Sequence, residues 1–167
     1  FRTSNTAIPG TYQLPYQITY YIYGSQKTKT GTAGVVIRAD PILFVSVNQE
    51  NPVIGLTDKL SFKITNKGLA DARFVSLSLG TTGLGIISGK EIYVGTIDSD
   101  DYQIENVQAT YQSLHPSIKA TVTYLDFDNK ERKIVQNIPL RVFSEQEAIE
   151  KGILKRDNRR IYGAIII

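Results

Sequence analysis

The 167-residue sequence contains no cysteine, no methionine and no tryptophan, and its only histidine is His115. Without cysteine there is no disulfide scaffold, no thiolate metal site and no cysteine nucleophile, although an exported protein remains compatible with this composition. A lone histidine excludes a multi-histidine transition-metal site and is the one imidazole a Ser-His-Asp arrangement would have to use. It precedes Pro116 in an expected loop, and no Gly-x-Ser-x-Gly motif accompanies it. The glycines of Leu79-Gly80-Thr81-Thr82-Gly83-Leu84-Gly85 are followed by neither a Lys-Ser/Thr pair nor a strand-to-helix pattern, so they do not form a phosphate loop and are expected to be a flexible connection. No Asn-x-Ser/Thr sequon occurs. The expectation is a protein without an enzymatic centre and without a cofactor.

Aliphatic and aromatic residues make up 41% of the chain, ten tyrosines and six phenylalanines among them, enough for a hydrophobic core without staples. The formal net charge is +3, but five of the 19 Lys and Arg lie between Lys151 and Arg160. The remainder is slightly acidic, which argues against nucleic-acid binding by the globular part. The chain opens Phe1-Arg2-Thr3 and lacks methionine, which predicts a processed or trimmed piece of a longer polypeptide.

From Thr11 to about Phe143 the sequence consists of short β-branched and aromatic runs separated by turn residues, with no long helical pattern. Strands are predicted over Tyr12 to Tyr23, Ala33 to Arg38, Leu43 to Val47, Lys59 to Thr65, Ala72 to Leu79, Glu91 to Thr96, Tyr102 to Thr110, Ser117 to Phe127 and Arg132 to Phe143. Apolar and polar residues alternate in Leu60-Ser61-Phe62-Lys63-Ile64 and in Ile118 to Tyr124, so one sheet face is buried and the other wet. Phe62, Ile64, Val75, Leu77, Val122 and Tyr124 are expected in the core. Asn66-Lys67-Gly68 and Asp128-Asn129-Lys130 read as hairpin ends. The fold class is therefore all-β, an immunoglobulin-like antiparallel sandwich. A partial internal repeat aligns Ile18 to Ser25 with Val122 to Asn129, Lys29 with Lys133, and Val36-Ile37-Arg38 with Pro139-Leu140-Arg141 after a one-residue slip. The offset is about 104 residues, one such domain in length. Residues 1–38 then represent the last strands of a preceding module and residues 39–144 one complete module.

Ser144-Glu145-Gln146-Glu147 is a capping box, and a short helix is expected over Glu145 to Leu154. Residues 145–160 thus form a helix and basic linker, and residues 161–167 an apolar tail. Seven residues cannot span a bilayer, which needs about 20. The basic cluster running into Ile161-Tyr162-Gly163-Ala164-Ile165-Ile166-Ile167 is compatible with the start of a membrane anchor and equally with a terminal strand.

The stretch Pro9 to Tyr20, the strand-turn-strand Leu60-Ser61-Phe62-Lys63-Ile64-Thr65-Asn66-Lys67-Gly68-Leu69-Ala70-Asp71-Ala72, Tyr93-Val94-Gly95-Thr96-Ile97 and Thr123 to Asn129 together resemble the S-layer-type, CARDB-like (cell-adhesion-related) immunoglobulin-like domains of archaeal and bacterial surface proteins. Two positions depart from that pattern: Asn129 stands where Gly is common, and Asp98-Ser99-Asp100-Asp101 where Pro-Gly often occurs. The resemblance implies tandem stalk or surface-layer modules outside the cell, often tethered by a terminal membrane helix. The alternatives are an accessory ectodomain of a membrane transport or secretion complex, or a module that binds glycan or protein.

Asp98, Asp100 and Asp101 are the candidate calcium ligands, with Asp126 and Asp128 as possible additions in space, although the spacing lacks the register of a helix-loop-helix site. Tyr12, Tyr16 and Tyr20 share one strand parity and Tyr21 and Tyr23 the other. One group is expected in a core. Tyr21 and Tyr23, together with Ile165, Ile166 and Ile167, are the candidate interaction residues, with protein partners or self-association through strand edges.

Overall fold

The computed structural model describes residues 7–155. It is all-β apart from one short helix. Strands β1 (Gly10–Ile22) and β2 (Ser25–Ile37) form a two-stranded antiparallel sheet by themselves. The remaining strands are β3 (Leu43–Gln49), β4 (Thr57–Asn66), β5 (Ala72–Thr82), β6 (Leu84–Ile86), β7 (Glu91–Ile97), β8 (Tyr102–Tyr111), β9 (Ser117–Leu125) and β10 (Glu131–Pro139). They form two four-stranded antiparallel sheets, in the orders β3-β4-β8-β6 and β10-β9-β5-β7, which share one core in a sandwich-like arrangement.

Alternation along the strands builds that core. On β4, Leu60, Phe62 and Ile64 point inward; on β9, Ile118, Ala120, Val122 and Tyr124 do; Val107 and Ala109 of β8 join them. All six residues expected in the core are buried. The period breaks once on β5, where both Ala72 and Val75 are buried. A bulge between them shifts the register, with Phe74 at φ 52° and Gly95 of β7 at φ 99°. The extra residue moves the inward set from even to odd numbers, which plain alternation does not anticipate.

Several expectations are corrected. Asn66-Lys67-Gly68 is not a hairpin end, because β4 and β5 lie in different sheets and the segment crosses between them. Gly68 is there for close approach: a Cβ on it would stand 2.3 Å from the Asp40 carbonyl oxygen. Asp128-Asn129-Lys130 does close the β9–β10 hairpin, with Asn129 at φ 60°. The segment after Leu79 is not a flexible connection: β5 runs on to Thr82, Gly83 turns at φ 71°, and β6 pairs with β8. The strand expected to reach Phe143 stops at Pro139: the Leu140 N–H still donates to the Pro116 carbonyl, but Pro116 has no N–H to return, and the ladder ends there. Helix α1 (Glu145–Glu150) has the expected capping box at Ser144 and Glu147. It ends before Leu154 because Gly152, at φ 72°, closes it: the Gly152 N–H donates to the Ile149 carbonyl and the Ile153 N–H to that of Ala148. The first hairpin turns at Tyr23-Gly24, so β2 begins at Ser25, well before Ala33. Compared by pairing, Tyr20 faces Lys27 as Tyr124 faces Arg132, and the second connection is one residue longer. Lys29 therefore corresponds to Ile134 rather than Lys133, and Pro139 to Gly34 rather than Val36.

Polar groups hold the two ends of β4. Asn66, fully buried, accepts at Oδ1 from the Ile42 and Gly68 N–H groups and donates from Nδ2 to the Ala70 and Ile97 carbonyls. At the other end Asp58, 2% exposed, accepts at Oδ1 from the N–H groups of Glu50, Asn51 and Lys59, and at Oδ2 from the Tyr111 hydroxyl at 2.6 Å. Gln49 Nε2 in turn donates to that hydroxyl. Burial, with the Asp58 carboxylate beside it, pushes the Tyr111 phenol well above its ordinary range.

Unpaired buried donors and acceptors cost about 1–3 kcal/mol each. Asn66→Ala strands four backbone groups and is expected to lower unfolding free energy by on the order of 3 kcal/mol or more. Tyr111→Phe removes one donor from Asp58 and is expected to cost roughly 1–3 kcal/mol. Urea unfolding followed by circular dichroism measures both, and the reverse ranking would contradict this account of the corner at Asn66.

Candidate interaction surface

The β1–β2 hairpin has two unlike faces. Along β1, Tyr12, Leu14, Tyr16, Ile18, Tyr20 and Ile22 share one side, with Val35, Ala33, Gly31, Lys29, Lys27 and Ser25 opposite them on β2. The other side carries Thr11, Gln13, Pro15, Gln17, Thr19 and Tyr21 against Val36, Gly34, Thr32, Thr30, Thr28 and Gln26. The first face is apolar over most of its length and open: its six large β1 side chains are 38–52% exposed. The second is polar except at Pro15, Tyr21 and Val36.

Local chemistry explains why the hairpin forms. Ile22 pairs with Ser25, and Tyr23 and Gly24 between them both have positive φ, 49° and 76°, the geometry of a two-residue turn whose twist matches the strands. Tyr16 lies across Gly31; a Cβ at Gly31 would sit 2.5 Å from the ring, so the missing side chain is the aromatic's seat. The Tyr12 hydroxyl donates to the Ile8 carbonyl at 2.7 Å and ties down the approach to β1. Each strand has one partner among the described residues, leaving one edge of each open. Pro15 offers no N–H to any neighbour, which limits the ladder β1 can make. Lys27 and Lys29 sit at the turn end of the apolar face, and the first acidic residue of the chain is Asp40.

No protein-family model matches the chain, and no curated protein matches it.

Of the expected interaction residues, Tyr21 is 70% exposed on the polar face and Tyr23 stands fully in solvent at the turn. Tyr12, Tyr16 and Tyr20, the other parity, are not buried among the described residues either; they belong to the continuous apolar face, which parity alone did not single out. The signal that identifies it is the union of the tyrosines with Leu14, Ile18 and Ile22 at the same spacing. Ile165, Ile166 and Ile167 lie outside the described residues.

The acidic loop is built as a turn. The Asp101 N–H donates to the Asp98 carbonyl, Asp100 sits at φ 60°, and the Asp101 carboxylate accepts from the Tyr102 N–H. Ser99 docks the loop on the Asn66 corner, its hydroxyl donating to the Gly68 carbonyl and its N–H to the Asp71 carboxylate. Among the described residues no three His, Cys, Asp or Glu side chains come together as a metal-ion site. Asp126, 3% exposed, instead accepts from the N–H groups of Asp128 and Lys130 and from Arg132 Nε at 2.7 Å. The Lys130 N–H above all, with Arg132 and the Asp128 N–H, holds its carboxyl below the usual carboxylate range against the opposing effect of burial. Arg73 spans the same turn, donating to the Asp126 carbonyl and to Asn129 Oδ1. His115 is exposed, its N–H on Ser113 Oγ.

Because the Asp126 carboxyl is lowered on folding, its stabilisation is present above the ordinary carboxylate pKa of about 4 and is lost as pH falls through its folded value. Calorimetry from pH 7 down to about 2 should therefore show Asp126→Asn less stable than the parent at neutral pH, with the gap closing in acid. A gap that stays constant would rule out this linkage. A calcium chelator is expected to leave the melting temperature unchanged; a fall of several degrees would assign bound calcium to the loop of Asp98, Asp100 and Asp101.

Proposed function

We propose that this chain is a structural or adhesive segment of an extracellular cell-envelope protein, made of immunoglobulin-like modules in tandem and acting through surface contact rather than through a reaction. The observation that carries the reading is the amphipathic β1–β2 hairpin: one apolar face, one polar face, and a five-residue connection into a sandwich whose own last hairpin, with a longer turn, likewise sets a tyrosine opposite a cation. Exposed apolar faces of this extent serve association.

The strand order supports the immunoglobulin-like assignment. Taking β3, β4 and β8 as the A, B and E strands and β5, β9 and β10 as C, F and G reproduces the two sheets of that topology, with β7 in the added position beside C. The departure is β6, which lies beside β8 but precedes β7 in the chain. The resemblance to S-layer-type and CARDB-like surface modules agrees with this order and supports a position at the cell surface, with a membrane tether beyond the basic linker. The linker and the tail of residues 161–167 lie outside the described residues, apart from the helix and its close; no described helix is long and apolar enough to cross a membrane.

Labelling intact cells with a membrane-impermeant amine reagent tests the location. Lys90, Lys119 and Lys133, all exposed on the sandwich, are expected to react in unbroken cells, and the protein to sediment with the envelope. Protection of these lysines until lysis, with the protein in the soluble fraction, would overturn the proposal.

A further inference from the structure

The two hairpins allow the missing cover of β1–β2 to be identified. Aligned by their pairing, Leu14, Tyr16, Ile18 and Tyr20 of β1 take the places of Ile118, Ala120, Val122 and Tyr124 of β9. The four β9 residues are buried, between 0 and 8% exposed; their β1 counterparts are 41–52% exposed. The match extends across the strands. Tyr20 and Tyr124 each face a cation, and the large-small pair Tyr16 and Gly31 replaces the small-large pair Ala120 and Gln136. What buries β9 and its neighbours is the opposing sheet β3-β4-β8-β6, through side chains such as Val45, Phe62 and Val107.

We infer that the apolar face of β1–β2 is the inner face of a second sandwich, covered by an apolar β-sheet that precedes residue 1 in the same polypeptide. This deepens the tandem-module reading and rests on it. A second copy of the chain fits less well. Its two four-stranded sheets already bury their apolar faces against each other, so neither is free to cover a foreign hairpin. Its hairpin is free, but 13-residue strands at about 3.4 Å per residue make a face only ~44 Å long and ~10 Å wide. Two such faces bury roughly 900 Å² in all, below the ~1,200 Å² at which stable interfaces begin. An isolated two-stranded ribbon is marginal in water, so the cover also supplies most of the stability of the hairpin.

Site-specific photocross-linking in the purified full-length polypeptide tests the inference. A benzoyl-phenylalanine replaces Tyr16 in one variant and Leu14 in another, so that a folding failure of either leaves the other, and light and isotopically heavy protein are mixed before irradiation. The expected cross-links join position 16 or 14 to residues upstream of Phe1, pair light with light and heavy with heavy, and accompany β1–β2 amides protected from hydrogen exchange. Mixed light–heavy cross-links would assign the face to a second copy and overturn the inference. Absence of cross-links with unprotected amides would show that nothing covers the face, and protected amides without an upstream cross-link would show that no cover is needed; both also overturn it. The readout uses purified protein, so it stands or falls separately from the cell-surface location.

Discussion

The inward side of β4 reads Asp58, Leu60, Phe62, Ile64, Asn66: three apolar residues closed at each end by a buried polar one. The apolar three form the middle of the core, and the polar two hold the chain where it leaves the strand. A buried carboxylate or amide is tolerable only when its hydrogen-bonding capacity is met. At Asn66 all four bonds go to backbone of different segments: the start of β3, the crossing at Gly68 and Ala70, and the end of β7. At Asp58 two go to the bend between β3 and β4, at Glu50 and Asn51, one to the adjacent Lys59 N–H within β4, and the fourth to Tyr111 at the end of β8. Each end of the sandwich is thus organised around one side chain of one strand.

The corner at Asn66 also sets how the chain enters the sandwich. Ile42, which precedes β3, is bonded through its N–H to Asn66 and through its carbonyl to the Lys67 N–H, while Asp40 and Pro41 lie against Gly68. The acidic loop before β8 docks on the same place through Ser99. The connection from β2 is therefore short and held where it enters the sandwich.

The edges of the two units differ in a way that bears on function. In the sandwich, Gln136 of β10 reaches across to both the N–H and the carbonyl of Val45 on edge strand β3, and Gln49 does the same to Arg141. These side-chain amides occupy groups that a foreign strand would seek. The hairpin has no such closure among the described residues, and one of its faces is apolar as well. Among the described residues, the open strand edges and the exposed apolar face thus coincide at β1–β2.

Period-two alternation made the all-β class, the core residues of β4 and β9, and the Asn129 turn legible from the sequence, because these depend on neighbours within a few residues. The capping box at Ser144 was legible for the same reason. The roles of Asn66 and Asp58 were not: each looks like an ordinary turn or surface residue until distant segments bring backbone groups to it. Gly68 looked like a turn glycine, but what requires it is contact with Asp40, 28 positions earlier. The bulge at Phe74, the crossing of β5 into β6 and the end of α1 at Gly152 depend on pairing and packing partners that alternation does not specify. Strand parity already sets three of the tyrosines with Leu14, Ile18 and Ile22 on one side of β1; what only the structure decided is that, among the described residues, β1 pairs with β2 alone and that side stays open. Local patterns determine which residues prefer burial, whereas which surface buries them is decided by contacts far apart in the chain.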